Sequence, residues 1–265
     1  MPQKDRELIP HRALEDGFSR AEFQINALIH SSQLSFDGGE YTTSIALSIL
    51  AYEELYKMHT FARKLIKRVG ISEKEWNQII FGSREERKSA HVVKMEKSYL
   101  DKKQDILEKG KIHNLIAKSV LTKLYGYDDY REFEILSKTD PLALARLVSF
   151  TKIKNSCFYL GWKDGKWDFF NNISKPERQA LAKFLLFLTN FEFKQTLLDK
   201  KHPRITNDEN AKDFQNYKND PLFQEVKKLN DNSQTTEFNK IKILALKALD
   251  RYRMENFSSE KYPCG

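Results

Sequence analysis

The nine residues from Ser44 to Tyr52 read SIALSILAY, without a charge, a glycine or a proline. A helix made of them is apolar nearly all round, so it has to be packed on several sides, as the central helix of a bundle is. The helix that holds them runs from about Tyr41 to Arg68, with Thr42 and Thr43 as N-cap candidates and Gly70 as its terminator. Its second half turns basic, carrying Lys57, Arg63, Lys64, Lys67 and Arg68 with no acid between Lys57 and Arg68. Ahead of it, Glu15 to Phe36 reads as a first helix. Phe18, Ala21, Ile25, Leu28 and Ile29 recur there at the spacing of one buried helical face, and Asp37-Gly38-Gly39 ends it.

The rest of the chain follows the same pattern. Only 10 Gly and 7 Pro occur in 265 residues, which argues against a loop-rich or all-β fold. Ser72 to Phe81 opens on a capping box, Ser72 with Glu75, and Gly82-Ser83 breaks it. Arg84 to about Lys109 and Ile112 to Leu124 read as helices, Tyr125 to Thr139 as a connection, and Pro141 to Lys154 as a further helix. The period then changes. Asp164-Gly165 stands between two aromatic runs within Phe158–Phe169, which is a strong hairpin signal. A two-residue turn makes Lys163 and Lys166 the closing pair and sets Trp162 opposite Trp167. Ser174-Lys-Pro-Glu177 is a second capping box, opening a helix to about Leu198. Lys200 to Asn210 reads as a polar loop, followed by helices near 208–217, 221–229 and 236–255. The expected fold class is therefore all-α (mainly α), with one small aromatic β-hairpin near 158–169 and extra C-terminal helices.

Charge and cysteine content narrow the function. Lys and Arg number 45 against 37 Asp and Glu, a net +8 that points to a polyanionic partner. From Arg84 to Lys123, 11 basic residues face 6 acidic ones, so much of the excess lies there. No apolar run is long enough to span a membrane, and the N-terminus lacks the apolar core of a secretory signal; a cytoplasmic protein is expected. Cys157 and Cys264 are too few for a disulfide scaffold or a zinc cluster, and no HExxH, CxxC, GxGxxG, GxxxxGK[ST] or GxSxG occurs. Neither a metal nor another cofactor is expected.

Two constellations remain as candidates for chemistry. The first is Ala51-Tyr-Glu53-Glu54-Leu-Tyr-Lys57, where two carboxylates and a lysine follow the apolar stretch. Glu53 and Lys57 have the better orientation for a helical ion pair, and the structural reading is a pair that fixes helix packing. The functional reading is that Glu53 or Glu54 orients a catalytic group on a neighbouring helix. The second is Arg84-Glu-Glu-Arg87-Lys-Ser-Ala-His91-Val-Val-Lys94. If its helix begins near Arg84, then Arg84, Arg87, His91 and Lys94 share one face. An imidazole within a cationic stripe suits a phosphodiester: Arg neutralises the phosphate and His exchanges protons near neutral pH. The structural reading is a solvated basic face with an ordinary surface histidine. Of the other histidines, His30 reads as a core or interface residue and His59 lies near basic residues without an obvious partner. His11, His113 and His202 read as tail, helix start and loop.

The order of these motifs resembles the AbiV family of bacterial abortive-infection proteins, within the broader HEPN group of all-α domains. The residues that carry the resemblance are Gly38-Gly39-Glu40-Tyr41, Ala51 to Lys57, His91-Val-Val-Lys94, and Cys157-Phe-Tyr159 with Trp167, over roughly residues 12 to 195. The resemblance implies a HEPN-like helical domain over 12–198 with a C-terminal helical extension over 199–265. HEPN proteins commonly cut RNA without a metal through an R-x4-6-H motif. They tend to dimerise so that two motifs face each other. Arg84 through His91 has the R-x6-H form, with Glu85 where Asn, Asp or His is commoner. AbiV-like proteins are associated with stopping phage growth by shutting down translation, with a phage protein as a trigger.

The resulting expectation is a homodimeric ribonuclease. His91 is its acid–base group, Arg84 stabilises the developing charge, Glu53 or Glu54 positions them, and Lys57, Arg87 and Lys94 hold the RNA backbone. The alternative is a non-catalytic effector that blocks translation by binding a ribosomal component or a phage protein. A third reading is an inactive HEPN dimerisation module.

Overall fold

The computed structural model describes residues 7–73, 75–76, 153–154, 157, 161–163, 166–168, 173–202 and 216–257. In chain order its elements are β1 (Glu7–Ile9), α1 (His11–Asp37), α2 (Tyr41–Lys67), β2 (Ile71–Ser72), β3 (Gly161–Lys163), β4 (Lys166–Asp168), α3 (Lys175–Lys201), α4 (Pro221–Ser233) and α5 (Thr236–Phe257). The fold is mainly α, as the sequence indicates, and the strands form two small antiparallel pairs.

As expected of SIALSILAY, α2 is central: it packs on both α1 and α3. The core takes Leu14, Phe18 and Ile25 from α1, and Ile45, Ile49, Leu55, Met58 and Phe61 from α2. Leu181, Phe184, Leu185 and Leu188 come from α3. Each fully buried side chain of this size contributes roughly 1.5–3 kcal/mol. Ile153 is wholly buried in the same core, and α5 adds Ala245, Leu249 and Tyr252 to it, so α5 shares the core of α1–α3. A line of hydroxyls crosses this apolar interior. Ser32 Oγ lies 3.0 Å from Ser44 Oγ and 2.8 Å from Ser48 Oγ, and Thr189 Oγ1 donates to the Leu185 carbonyl at 2.8 Å, with the Ser48 carbonyl 3.3 Å from the same oxygen.

The ends of the helices follow from local backbone chemistry, and several differ from the sequence expectation. α1 begins at His11 rather than Glu15, because Leu14 extends the buried stripe by a turn. Gly39, at φ +81, ends α1: its N–H reaches Phe36 O at 3.0 Å and the Glu40 N–H reaches Ser35 O at 2.8 Å. These are the two bonds of a Schellman cap. The N-cap of α2 is Glu40, not Thr42 or Thr43; its carbonyl accepts from the Ser44 N–H at 3.0 Å without a side-chain cap. The cap at Gly39 delivers the chain straight into α2, so both threonines fall inside the helix. α2 ends at Lys67 and is capped by Arg68, two residues before Gly70, with φ 56 and bonds from Arg68 N–H to Leu65 O and Val69 N–H to Lys64 O. An arginine here occupies the left-handed position that glycine usually fills.

β1 and β2 clasp the open end of the α1–α2 hairpin. Ile9 pairs with Ile71, and Ile71 is wholly buried. The sequence did not signal this pair, since strands of three and two residues are too short to show a period. The Ser72 capping box forms: Ser72 N–H donates to Glu75 Oε2 at 2.9 Å and Glu75 N–H to Ser72 Oγ at 3.2 Å. Glu75 also pairs with Lys64, and Trp76 stacks on Phe61 at 6.2 Å between ring centroids. The aromatic hairpin has the expected register, with Gly161 opposite Asp168, Trp162 opposite Trp167 and Lys163 opposite Lys166. The Ser174–Glu177 capping box opens α3. That helix runs to Lys201, so the polar loop placed at Lys200 starts later. The helices expected at 84–109 and 112–124 and the connection at 125–139 lie outside the described residues.

Candidate functional site

The carboxylates of the Ala51–Lys57 motif are both held by lysines, though not in the expected pairing. Lys57 donates to Glu54 Oε1 at 2.6 Å, three residues back, rather than to Glu53. Glu53 is taken instead by Lys154, whose Nζ donates to its Oε1 at 2.5 Å across 101 positions of sequence. The side chains of Glu53 and Lys154 are only 13% and 15% exposed, which makes this the more buried of the two pairs. A carboxylate with so little water needs a cation beside it, and Lys154 supplies one where the helical neighbour would otherwise do so. Sequence periodicity cannot point to Lys154, because the contact joins two distant segments.

One turn further along α2, His59 is also partnered. Thr196 on α3 donates from Oγ1 to the Glu192 carbonyl at 2.7 Å, so its only proton is committed. The bond between Thr196 Oγ1 and His59 Nε2 therefore runs from the ring N–H to the hydroxyl oxygen, fixing the Nε2–H tautomer. Burial holds the His59 pKa below its usual value; Asp199 opposes this and Arg63 adds to it. Burial also raises the Tyr56 phenol, with Arg63 working against it. The spacing from Leu55 and to Ala62, both buried, is the signal that turns His59 toward α3. His30, expected in the core or an interface, is exposed on α1.

The basic end of α2 lies beyond these pairs, with Arg63, Lys67 and Arg68 all exposed. Among the described residues no group of three or more His, Cys, Asp or Glu could hold a metal ion, and no helix is long and apolar enough to cross a membrane. Arg84, Arg87, His91 and Lys94 lie outside the described residues. Of the expected site residues, then, Glu53, Glu54 and Lys57 are on one half-buried stretch of α2 and are engaged in ion pairs.

A family model described as AbiV, of the HEPN type, matches residues 24–190. That span holds the second half of α1, all of α2, the Arg84–His91 motif, the hairpin and more than half of α3. No curated protein and no solved structure matches the chain. With more than half its length matched, and with the helical fold built around α2, the chain belongs to the AbiV family of HEPN proteins.

Proposed function

We propose that this protein is a bacterial anti-phage abortive-infection effector of the cytoplasm that works as a homodimeric, metal-independent endoribonuclease and so shuts down translation. The observation that supports this reading is the Arg84-x6-His91 motif, which falls inside the stretch matched to the AbiV family. In the reaction the ribose 2′-hydroxyl of the RNA attacks the adjacent phosphorus and the 5′-oxygen leaves. The products are a 2′,3′-cyclic phosphate and a 5′-hydroxyl. His91 takes the 2′-hydroxyl proton or gives one to the leaving oxygen, which is worth about 10²–10⁴-fold in rate. Arg84 neutralises charge on the phosphorane. Arg87 and Lys94 hold the RNA backbone, together with the exposed end of α2. Lys57 is already neutralised by Glu54, so its part is the lesser one. Glu53 and Glu54 act through the lysines they hold, as positioning groups. A phage protein is the proposed trigger.

The test is incubation of the purified protein with total RNA in EDTA, with and without extract from phage-infected cells. Cleavage that falls at least about 100-fold in His91→Ala and in Arg84→Ala supports the reading. Cleavage by His91→Ala at the wild-type rate overturns it. A second reading is a non-catalytic inhibitor that binds a ribosomal component or a phage protein. The exposed Arg63, Lys67 and Arg68 favour it, since a cationic helix end binds RNA without cutting it. Blocked in vitro translation with intact RNA selects it.

A further inference from the structure

α1 has two faces, and among the described residues only one is packed into the bundle. On the other, Phe23 is 78% exposed and Leu34 59%, with Ala27 and His30 exposed between them. Arg20 and Asp37 extend the same row at its two ends. The steps from Arg20 through Phe23, Ala27, His30 and Leu34 to Asp37 are three, four, three, four and three. That is the a/d spacing of a coiled-coil seam, laid on the solvent side of a helix whose other side is already in the core. Over residues 23–36 the helix carries no Lys, Arg, Asp or Glu, although 31% of the chain is charged. Depletion of charge around exposed aromatic and aliphatic side chains marks an interface centre.

We propose that this seam is where a second copy of the chain docks, as an antiparallel α1–α1 pair about a two-fold axis between residues 28 and 29. Such an axis sets residue n beside residue 57 − n of the other copy. Phe23 then meets the partner's Leu34, and Ala27 meets the partner's His30, so a large ring faces an aliphatic chain and a methyl group faces an imidazole. At the ends Arg20, which pairs with Asp16 on its own helix at 2.8 Å, also meets the partner's Asp37, twice over by symmetry. A parallel pairing instead sets Arg20 against itself and Asp37 against itself. The seam is thus complementary to its own inverse in both charge and size. The neutral centre gives an RNA, an acidic peptide or an anionic lipid surface nothing to attract it. The row spans about 26 Å of helix at 1.5 Å per residue. A contact of that length is modest, so the dimer is concentration-dependent.

This deepens the two-copy reading above and rests on it for its biological use. The experiment is sedimentation velocity of the full chain over a concentration series, with RNA cleavage measured on the same samples. The wild type is expected to dimerise. Phe23→Ser weakens that by at least about tenfold, the effect of removing a central aromatic anchor. Arg20→Asp and Asp37→Arg each weaken it several-fold, while their double variant, or an equal mixture of the two single variants, restores it. All these positions are exposed, so the fold is unaffected, and circular dichroism checks that.

A wild type that stays monomeric throughout overturns the proposal and leaves the seam to another occupant. A dimer indifferent to Phe23→Ser and to both charge reversals also overturns it, while the two-copy reading stands on some other surface. Loss of the dimer in these variants, in a protein that cuts no RNA, upholds the interface and removes the nuclease reading instead.

Discussion

Lys154 reaches back 101 positions to donate to Glu53 at 2.5 Å, and by doing so ties residues 153–154 to the middle of the central helix. The pair is nearly out of water, so removing one partner leaves the other charge uncompensated. Glu53→Ala is expected to cost about 2 kcal/mol in urea unfolding. Glu54→Ala should cost less than half of that, since its pair with Lys57 is local and wetter. Adding Lys154→Met to Glu53→Ala should recover most of the loss. Equal effects of the two glutamates would contradict the assignment.

His59 makes stability depend on pH in a definite direction. Its folded-state pKa is held below the unfolded one, chiefly by burial, so protons bind the unfolded chain first as pH falls. The contribution of His59 is therefore intact above its unfolded value near 6.5 and is lost progressively over the pH interval below it. His59→Gln keeps a donor for Thr196 and cannot titrate. Its melting temperature should fall less over that interval than that of the wild type, as followed by circular dichroism.

Burial pushes the Cys157 thiol up to about 12, so almost none of it is thiolate at neutral pH. In a Cys264→Ser background, iodoacetamide should label Cys157 only after denaturation. Labelling of the native protein at the rate of a free thiol, read by mass spectrometry, would contradict its placement against the core.

Arg68 holds the left-handed position at the end of α2, where a side chain costs about 1 kcal/mol that glycine avoids. Arg68→Gly should raise stability by about 0.5 kcal/mol, after the greater freedom of glycine in the unfolded chain is subtracted. Arg68→Val, with a β-branched side chain at positive φ, should lower it by more than that. Chemical denaturation of the three proteins gives the ranking.

Sequence periodicity was a good guide wherever the determinant was local. The central position of α2 follows from SIALSILAY alone, and the Ser174–Glu177 cap and the Trp162–Trp167 register follow from turn and cap chemistry within a few residues. It failed where the partner came from elsewhere. Glu53 chose Lys154 over Lys57, and His59 found Thr196 on α3, neither of which any spacing within α2 can reveal. The Ile9–Ile71 bridge escaped for a different reason, its strands being too short to alternate. Of the two places expected for His30, the core is excluded, since the ring is exposed while Leu28 and Ile29 beside it are partly buried.

The line of hydroxyls through Ser32, Ser44, Ser48 and Thr189 has a bearing on uniqueness more than on strength. Aliphatic side chains alone would let α1 slide along α2 by a full turn, about 5.4 Å, at little loss of burial. Any such slippage strands several alcohols in a dry interior, at about 1–3 kcal/mol for each group without a partner. Three serines and a threonine thus act as a vernier, admitting one stagger of the helices and rejecting its neighbours.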